Sequence, residues 1–258
     1  MVFLEISNLY KYFGGLAAVN EFDMEVNEGE ILGLIGPNGA GKSTVLNMVG
    51  GSLLPTRGEI IFQGEPITRY PAYRRARMGI ARVFQRNALF GSMTTLENLL
   101  AGSQLHSRHG LAEVFFKGAS ARGEDDALRE RALEILDFVG LGKQPVNELA
   151  INLPHGSQRA LCVAVALATQ PRLLLLDEPL TGMNAEETRT MVKMVRALRD
   201  SKGITTIVVE HNVKAVLGLC DRAVVLNYGR KMAEGTPREV VENAAVIEAY
   251  LGADLDVL

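Results

Sequence analysis

The stretch "EILGLIGPNGAGKST", from Glu30 to Thr44, decides the fold class of this chain of 258 residues. The run from Glu30 to Gly36 is almost entirely apolar, which is typical of a strand buried on both faces of a parallel sheet. Gly36 to Ser43 then match the phosphate-loop pattern G-x-x-x-x-G-K-[ST]. The segment that follows has a helical pattern and is closed by Gly50 and Gly51. A strand, a glycine loop and a helix in this order predict a site for nucleotide phosphates.

Each residue type in this loop has a chemical role in binding phosphate. Glycines let backbone N–H groups turn towards an anion, and the following helix points its positive end at the same place. Lys42 supplies a cation for the β- and γ-phosphates, and the Ser43 hydroxyl can ligate Mg²⁺. The nucleotide-contacting residues predicted in the loop are Gly36, Pro37, Asn38, Gly39, Ala40, Gly41, Lys42, Ser43 and Thr44.

A second motif, "LLLLDE", ends in two adjacent acids, Asp177 and Glu178. Asp177 stands at the carboxyl end of a predicted strand, where a carboxylate can hold Mg²⁺ through water. Glu178 is then placed to act as a general base on the attacking water. The alternative is a solvated strand end, but four preceding leucines anchor this end in the sheet core. The guanine motif N-K-x-D does not occur in the chain, which disfavours a GTPase.

Apolar runs and helical patterns alternate along most of the chain. Strands are predicted at 22–26, 30–36, 58–64, 172–177, 204–210 and 222–227, with helices at 127–139, 157–169, 185–201 and about 237–250. This alternation predicts an α/β domain with a mostly parallel sheet, interrupted by a helical insert. Arginines concentrate between Arg69 and Arg82, and we interpret them as a solvated helix face, or else as a surface near lipid headgroups or a membrane partner.

The composition limits the function classes. A net charge of −3 argues against a dedicated nucleic-acid binder. The longest apolar run falls well short of the ~20 residues of a membrane span, and the amino terminus lacks the pattern of a signal peptide. Two isolated cysteines, Cys162 and Cys220, are expected to be packed thiols.

The order of the motifs resembles the ATP-binding subunit of ABC transporters over about residues 3 to 252. The order is a phosphate loop, a glutamine after a strand, a helical insert, a short glycine motif, "LLLLDE" and a histidine after a strand. This resemblance implies a P-loop NTPase (RecA-like) core with an antiparallel β subdomain. It also implies that residues 1–258 form one ABC ATP-binding domain, with a helical subdomain at about 92–160 and a C-terminal helical extension at about 236–258.

Within this resemblance, "LPHGSQ" occupies the place of the family signature LSGGQ, which caps the ATP held by a partner subunit. By itself, a proline and a glycine before a helix indicate only a turn and a cap. The variant is similar to one seen in a subunit of branched-chain amino-acid importers. The residues it implies at the nucleotide are Pro154, His155, Gly156 and Ser157.

The resemblance implies three further site residues. Gln85 in "ARVFQ" is similar to the glutamine that senses Mg²⁺ and the attacking water and leads into the permease-facing loop. His211 in "IVVEHN" is similar to the histidine that contacts the γ-phosphate. Phe13 is similar to the aromatic residue that stacks on adenine, with Tyr12 as the competing candidate.

The resemblance also implies partners and a location. They are two permease subunits, a second ATP-binding subunit that is either the same chain or a different one, and indirectly an extracytoplasmic solute-binding protein, but no nucleic acid. The chain would lie peripherally on the cytoplasmic face of the inner (plasma) membrane, using ATP and Mg²⁺. The transported solute stays open between branched-chain amino acids and amides, urea or aromatic acids. The rival functions are a soluble ABC-type ATPase acting on nucleic acid or ribosomes and a small-molecule P-loop kinase.

Overall fold

The structure is a computed structural model. It describes residues 2–84, 88–103, 119–210 and 218–251, and the side chains of all of these except 119–126 and 251. The strands are β1 Val2–Phe13, β2 Leu16–Asn27, β3 Ile31–Ile35, β4 Arg57–Phe62, β5 Glu65–Pro66, β6 Ile80–Val83, β7 Leu173–Asp177, β8 Thr205–Glu210, β9 Arg222–Asn227 and β10 Arg230–Gly235. The helices are α1 Lys42–Val49, α2 Ala72–Arg77, α3 Thr95–Ser103, α4 Ala119–Phe138, α5 His155–Ala168, α6 Ala185–Lys202, α7 Pro237–Glu242 and α8 Ala244–Leu251, with a 3₁₀ turn at Ala150–Asn152.

The strands form two sheets. A six-stranded sheet has the order β10-β9-β3-β8-β7-β6, and its strands run parallel except for β10. A four-stranded antiparallel sheet has the order β2-β1-β4-β5. The predicted α/β class, with a mostly parallel sheet, an antiparallel β subdomain and helices, is confirmed.

The central sheet is buried on both faces, which is why its strands are continuously apolar. Along β7, Leu174 and Leu176 join one hydrophobic cluster, together with residues of α5 and α6. Leu173 and Leu175 join the other, together with residues of α1 and of the antiparallel sheet. The helix α1 is therefore enclosed between the two sheets, and the loop before it opens at the carboxyl edge of β3.

The helical part of the chain packs by close backbone approach. A Cβ atom added to Gly102 of α3 would lie 2.7 Å from the carbonyl oxygen of Val165 in α5. The buried side chains of Leu99, Ala132 and Leu161 join α3, α4 and α5 in the same cluster. None of the described helices is long and apolar enough to cross a membrane.

The carboxyl-terminal segment forms two helices where the sequence predicts one. The break falls at Asn243, which has an extended backbone. Its side-chain oxygen accepts hydrogen bonds from the backbone N–H groups of Ala245 (3.0 Å) and Val246 (3.4 Å). Asparagine thus caps the second helix, a local interaction that competes with continuing the first.

The interpretation of the arginine stretch as a solvated face is wrong for Arg75, which is fully buried. Its guanidinium donates hydrogen bonds to the carbonyl oxygens of Met48 (2.6 Å) and Val49 (2.8 Å), the last residues of α1. It also donates to the carbonyls of Thr68 and Tyr70 (both 2.9 Å). Burial lowers the pKa of Arg75 to about 10. The side chain therefore closes the carboxyl end of the helix that begins at the phosphate loop.

Both cysteines are free thiols, Cys220 buried and Cys162 partly buried. Burial raises the pKa of each thiol, so neither has the lowered pKa of a reactive cysteine. They pack as ordinary apolar side chains.

Candidate active site

The loop from Gly36 to Gly41 joins β3 to α1 and needs its glycines. Gly36, Gly39 and Gly41 have φ angles of 152°, 78° and 106°. A Cβ atom on Gly36 would lie 2.0 Å from the carbonyl oxygen of Leu226, and one on Gly41 would lie 2.4 Å from that of Ala18. A larger residue at Gly36 or Gly41 would push the loop off β9 or β2, so close packing by itself requires glycine at these two positions.

The turn between β9 and β10 supports the loop from outside. The backbone N–H of Gly229 donates to the carbonyl of Ala40 (2.9 Å), and the N–H of Asn20 donates to the carbonyl of Gly229 (2.8 Å). Tyr228 and Gly229 both have positive φ, as a tight hairpin turn requires. The exposed ring of Tyr228 lines the cavity in front of the loop. The sequence does not predict a role for Tyr228, because nothing in "LNYGRK" indicates that the turn meets a loop almost 190 positions earlier.

Lys42 is buried at the start of α1 and folds back over the loop. Its Nζ donates hydrogen bonds to the carbonyl oxygens of Gly36 (2.7 Å) and Pro37 (2.9 Å). Burial lowers the pKa of this ammonium, whereas the nearby carboxylates of Glu178, Asp177 and Glu210 act in the opposite direction. The ammonium is thus held within the loop, where a phosphate bound by the loop would meet it.

Asp177 ends β7 and is buried. Its Oδ2 accepts a hydrogen bond from Arg82 (2.8 Å), whereas its Oδ1 has no hydrogen-bond partner. An unpartnered buried carboxylate oxygen is suited to a hard cation such as Mg²⁺. The described residues contain no cluster of three or more acidic, histidine or cysteine side chains that could hold a metal alone. In phosphoryl-transfer sites Mg²⁺ is usually bound by one or two carboxylates and the substrate phosphates, and the unpartnered Oδ1 of Asp177 suits that role.

Glu178 follows in a left-handed backbone conformation, with a φ of 49°. Its N–H donates to the carbonyl of Val209 (2.9 Å), and its Oε2 accepts from the Thr181 hydroxyl (3.3 Å). The residue lines one cavity of about 410 Å³ together with Lys42 and Ser43. A non-glycine residue is rarely held in this conformation, and such strain concentrates at functional positions.

Phe13 lines this cavity and Tyr12 does not. Successive side chains of a strand point to opposite faces, and the two residues end β1. The ring of Tyr12 stacks on Tyr10, with centroids 6.1 Å apart, whereas half of Phe13 is exposed beside the loop. The geometry favours Phe13 as the surface for a nucleotide base.

We expect Phe13→Ala to weaken the binding of the ATP analogue AMP-PNP by about 10-fold, since stacking a base on an aromatic ring contributes ~1–3 kcal/mol. The matched variant Tyr12→Ala should stay within about two-fold of wild type, because the Tyr12 ring stacks on Tyr10 and does not line the cavity. Isothermal titration calorimetry measures both affinities. A larger loss for Tyr12→Ala than for Phe13→Ala would assign the base to Tyr12.

The signature residues lie elsewhere in the chain. Pro154 is the N-cap of α5, and the helix begins at His155. Pro154, Gly156 and Ser157 line a second cavity of about 260 Å³, which shares no lining residue with the cavity of the phosphate loop. Within one chain, the structure therefore does not bring the signature and the phosphate loop together.

The signature packs instead on the loop that follows the acidic pair. A Cβ atom on Gly182 would lie 3.3 Å from Nε2 of His155, and one on Gly156 would lie 2.7 Å from Oε1 of Glu187. Glu187 belongs to the capping box that Asn184 forms at the start of α6. The variant signature thus packs closely on the start of α6 through Gly156 and on the preceding loop through His155.

Two of the predicted site residues, Gln85 and His211, lie outside the described residues. Their neighbours Phe84 and Glu210 end at the same edge of the sheet as Asp177, since β6, β7 and β8 are parallel neighbours.

Comparison with known proteins agrees with this geometry. A family model described as "ABC transporter" matches residues 19–181, and one described as "Branched-chain amino acid ATP-binding cassette transporter" matches residues 230–256. The high-affinity branched-chain amino acid transport ATP-binding protein LivG of Salmonella typhimurium is 41% identical over 249 residues, covering 96% of this chain and 97% of LivG.

Solved structures resemble the fold over nearly its full length. The ADP conformation of MJ1267, an ATP-binding cassette of an ABC transporter, has a TM-score of 0.85 and 31% identity, covering 98% of this chain and 99% of that one. A dimeric post-hydrolysis state of the ATP-binding cassette MJ0796, bound to ADP and Pi, has a TM-score of 0.77 and 26% identity, covering 91% and 99%. With a phosphate loop, an acidic pair and these relatives, the chain belongs to the ABC transporter family, as one of its ATP-binding, ATP-hydrolysing cassettes.

Proposed function

We propose that this ATPase powers the import of branched-chain amino acids, or of related small solutes, across a membrane. The observation that carries the proposal is that Lys42, Ser43 and Glu178 line one cavity, next to Asp177 with its unpartnered oxygen. The class of solute is supported by the similarity to LivG and by the second family match at the carboxyl terminus. No observation favours an action on nucleic acid or ribosomes.

The proposed chemistry assigns one role to each group of the cavity. The loop amides and Lys42 hold the phosphates, and the ring of Phe13 holds the base. Ser43 and Asp177 would hold Mg²⁺, which when bound neutralises charge on the phosphates. Glu178 accepts a proton from the attacking water. Gln85 and His211 are proposed to contact the water and the γ-phosphate.

The proposed site is completed by a second ATP-binding subunit. Pro154, His155, Gly156 and Ser157 would face the γ-phosphate held by that subunit, and the amino end of α5 would favour this negative charge. Their separation from the phosphate loop within one chain supports this arrangement, as does the dimeric cassette MJ0796. The partner is either a second copy or a different cassette.

An exposed apolar patch is the proposed contact with the permeases. It consists of Phe90, Met93, Leu149 and Ile151, which are exposed to solvent and lie on two segments joined by backbone hydrogen bonds. The buried side chain of Asn98 stabilises the backbone of one of these segments, since its amide nitrogen donates to the carbonyls of Phe90 (3.1 Å) and Met93 (3.3 Å). A contiguous exposed apolar patch is typical of a surface that contacts another protein or a membrane. The cassette would thereby sit on the cytoplasmic face of the inner membrane, with a solute-binding protein on the other side.

Gentle detergent purification of the tagged protein from its host tests this assignment. We expect two multi-span proteins and a second ATPase in the purified complex, identified by mass spectrometry. Ile151→Asp should release the multi-span proteins, because it places a charge within the apolar patch. Leu54→Asp, the same introduction of a charge at an exposed leucine outside the patch, should retain them. Recovery from the soluble fraction with ribosomal or DNA-associated proteins would contradict the transport function.

A further inference from the structure

Arg82 lies between three groups at the nucleotide site. One end of its guanidinium donates to Oδ2 of Asp177 (2.8 Å), and the other donates to Oδ1 of Asn47 (2.5 Å). The guanidinium also stands 4.7 Å from the centre of the Phe84 ring. The Arg82 and Asp177 side chains are only 10% and 7% exposed, so the ion pair is shielded from water. A buried and doubly bonded guanidinium has a fixed position.

The two partners belong to different elements of the site. Asp177 ends β7, and Asn47 lies on α1, four residues after Ser43. Residues four apart share one face of a helix, so Asn47 lies one turn below the Ser43 hydroxyl. Arg82 therefore joins the two elements that carry Ser43 and Asp177.

The ion pair also fixes how the Asp177 carboxylate is turned. Because Oδ2 is occupied by Arg82, Oδ1 is the oxygen that stays without a hydrogen-bond partner. We propose that Arg82 is a positioning residue for the metal, holding Asp177 against α1 so that Oδ1 is presented to Mg²⁺ on the bound nucleotide. This inference rests on the proposed role of Ser43 and Asp177 as metal-holding residues. Groups that hold a metal-ligating side chain in place commonly change metal affinity 10–100-fold when they are removed.

An arginine is required because two acceptors must be reached at once. The planar guanidinium presents donors along a rigid fork, whereas a lysine ammonium is a compact point charge on a flexible stem. Arg82→Lys therefore keeps the charge beside Asp177 and loses the hydrogen bond to Asn47 on α1. Asn47→Ala removes the acceptor of the same hydrogen bond and leaves the ion pair in place. Neither variant alters the net charge, so an effect on metal binding would come from a change in how the Asp177 carboxylate is oriented.

The test measures AMP-PNP affinity by calorimetry in EDTA and in saturating Mn²⁺. We expect Arg82→Lys and Asn47→Ala each to reduce the tightening caused by Mn²⁺ by about 10-fold, with affinity in EDTA within about two-fold of wild type. Arg172→Lys is the matched control, since Arg172 donates to Gln63 (2.9 Å) at the opposite end of β7. If Arg82→Lys does not fold, the comparison of Asn47→Ala with wild type is sufficient for the test.

An unchanged effect of Mn²⁺ in Arg82→Lys and Asn47→Ala would overturn the inference. Asp177→Asn separates this result from a failure of the proposed metal site. If Asp177→Asn loses the effect of Mn²⁺ while the other variants keep it, Arg82 has no positioning role. If Asp177→Asn also keeps it, the assignment of Asp177 to the metal is itself wrong, and the inference fails with it.

Discussion

Replacing Glu178 by glutamine is expected to lower kcat for ATP hydrolysis by a factor of about 10²–10⁴, the usual contribution of a general base. Glutamine keeps the size and the hydrogen bond to Thr181 but cannot accept a proton. Lys42 and the glycine loop are untouched, so ATP binding should survive. The variant should therefore accumulate in an ATP-bound, dimeric form.

Phosphate release measures the turnover, and gel filtration with and without ATP measures the dimer. Glu134→Gln is the control, because it makes the same change at an exposed position on α4. Turnover of Glu178→Gln close to that of wild type would show that another group accepts the proton. A loss of ATP binding in the same variant would assign Glu178 to binding instead of to proton transfer.

The second large effect is expected on stability. Arg75→Met should lower the free energy of unfolding by about 3–5 kcal/mol, because it leaves buried carbonyl groups without donors. Methionine fills much of the same volume, so the loss of stability would come mainly from the missing hydrogen bonds and not from a cavity. Two of the orphaned carbonyls end α1, so ATP binding should weaken at temperatures where the variant is partly unfolded.

The neighbouring Arg74→Met is the matched control for this effect. Arg74 is half exposed, forms an ion pair with Glu65 (3.7 Å) and stacks on the ring of Tyr70. Exposed ion pairs contribute about 0–1 kcal/mol. Urea-induced unfolding compares the two variants with wild type. A difference below about 1 kcal/mol between them would refute the structural role of Arg75.

Sequence patterns predicted the parts of this protein whose structure is determined by residues close together in the sequence. The phosphate loop follows from glycine spacing, and β7 follows from four leucines before an acidic pair. Phe13 and Tyr12 could not be separated by sequence, since both are aromatic residues at the end of the same strand. The structure separates them because the alternation of a strand sends only one of them towards the loop.

Arg75 and Arg82 could not be assigned from sequence for a different reason. Both stand in one basic stretch, and charge density there favours exposure. Their partners are main-chain carbonyls and an asparagine of α1, and an acid 95 positions further on. Only the packing of α2 and β6 against α1 and β7 brings these groups within reach. The same limit applies to Tyr228, whose position depends on a contact between distant turns.

The support of the phosphate loop by the β9–β10 turn has a consequence for synthesis on the ribosome. The loop is encoded near the start of the chain, yet β3 pairs with β8 and β9, and Ala40 is held by Gly229. A nascent chain thus carries the loop long before the strands that enclose it have been translated. The loop is therefore synthesised well before it is completed, so a product truncated before residue 229 contains the whole loop sequence and still lacks a finished nucleotide pocket.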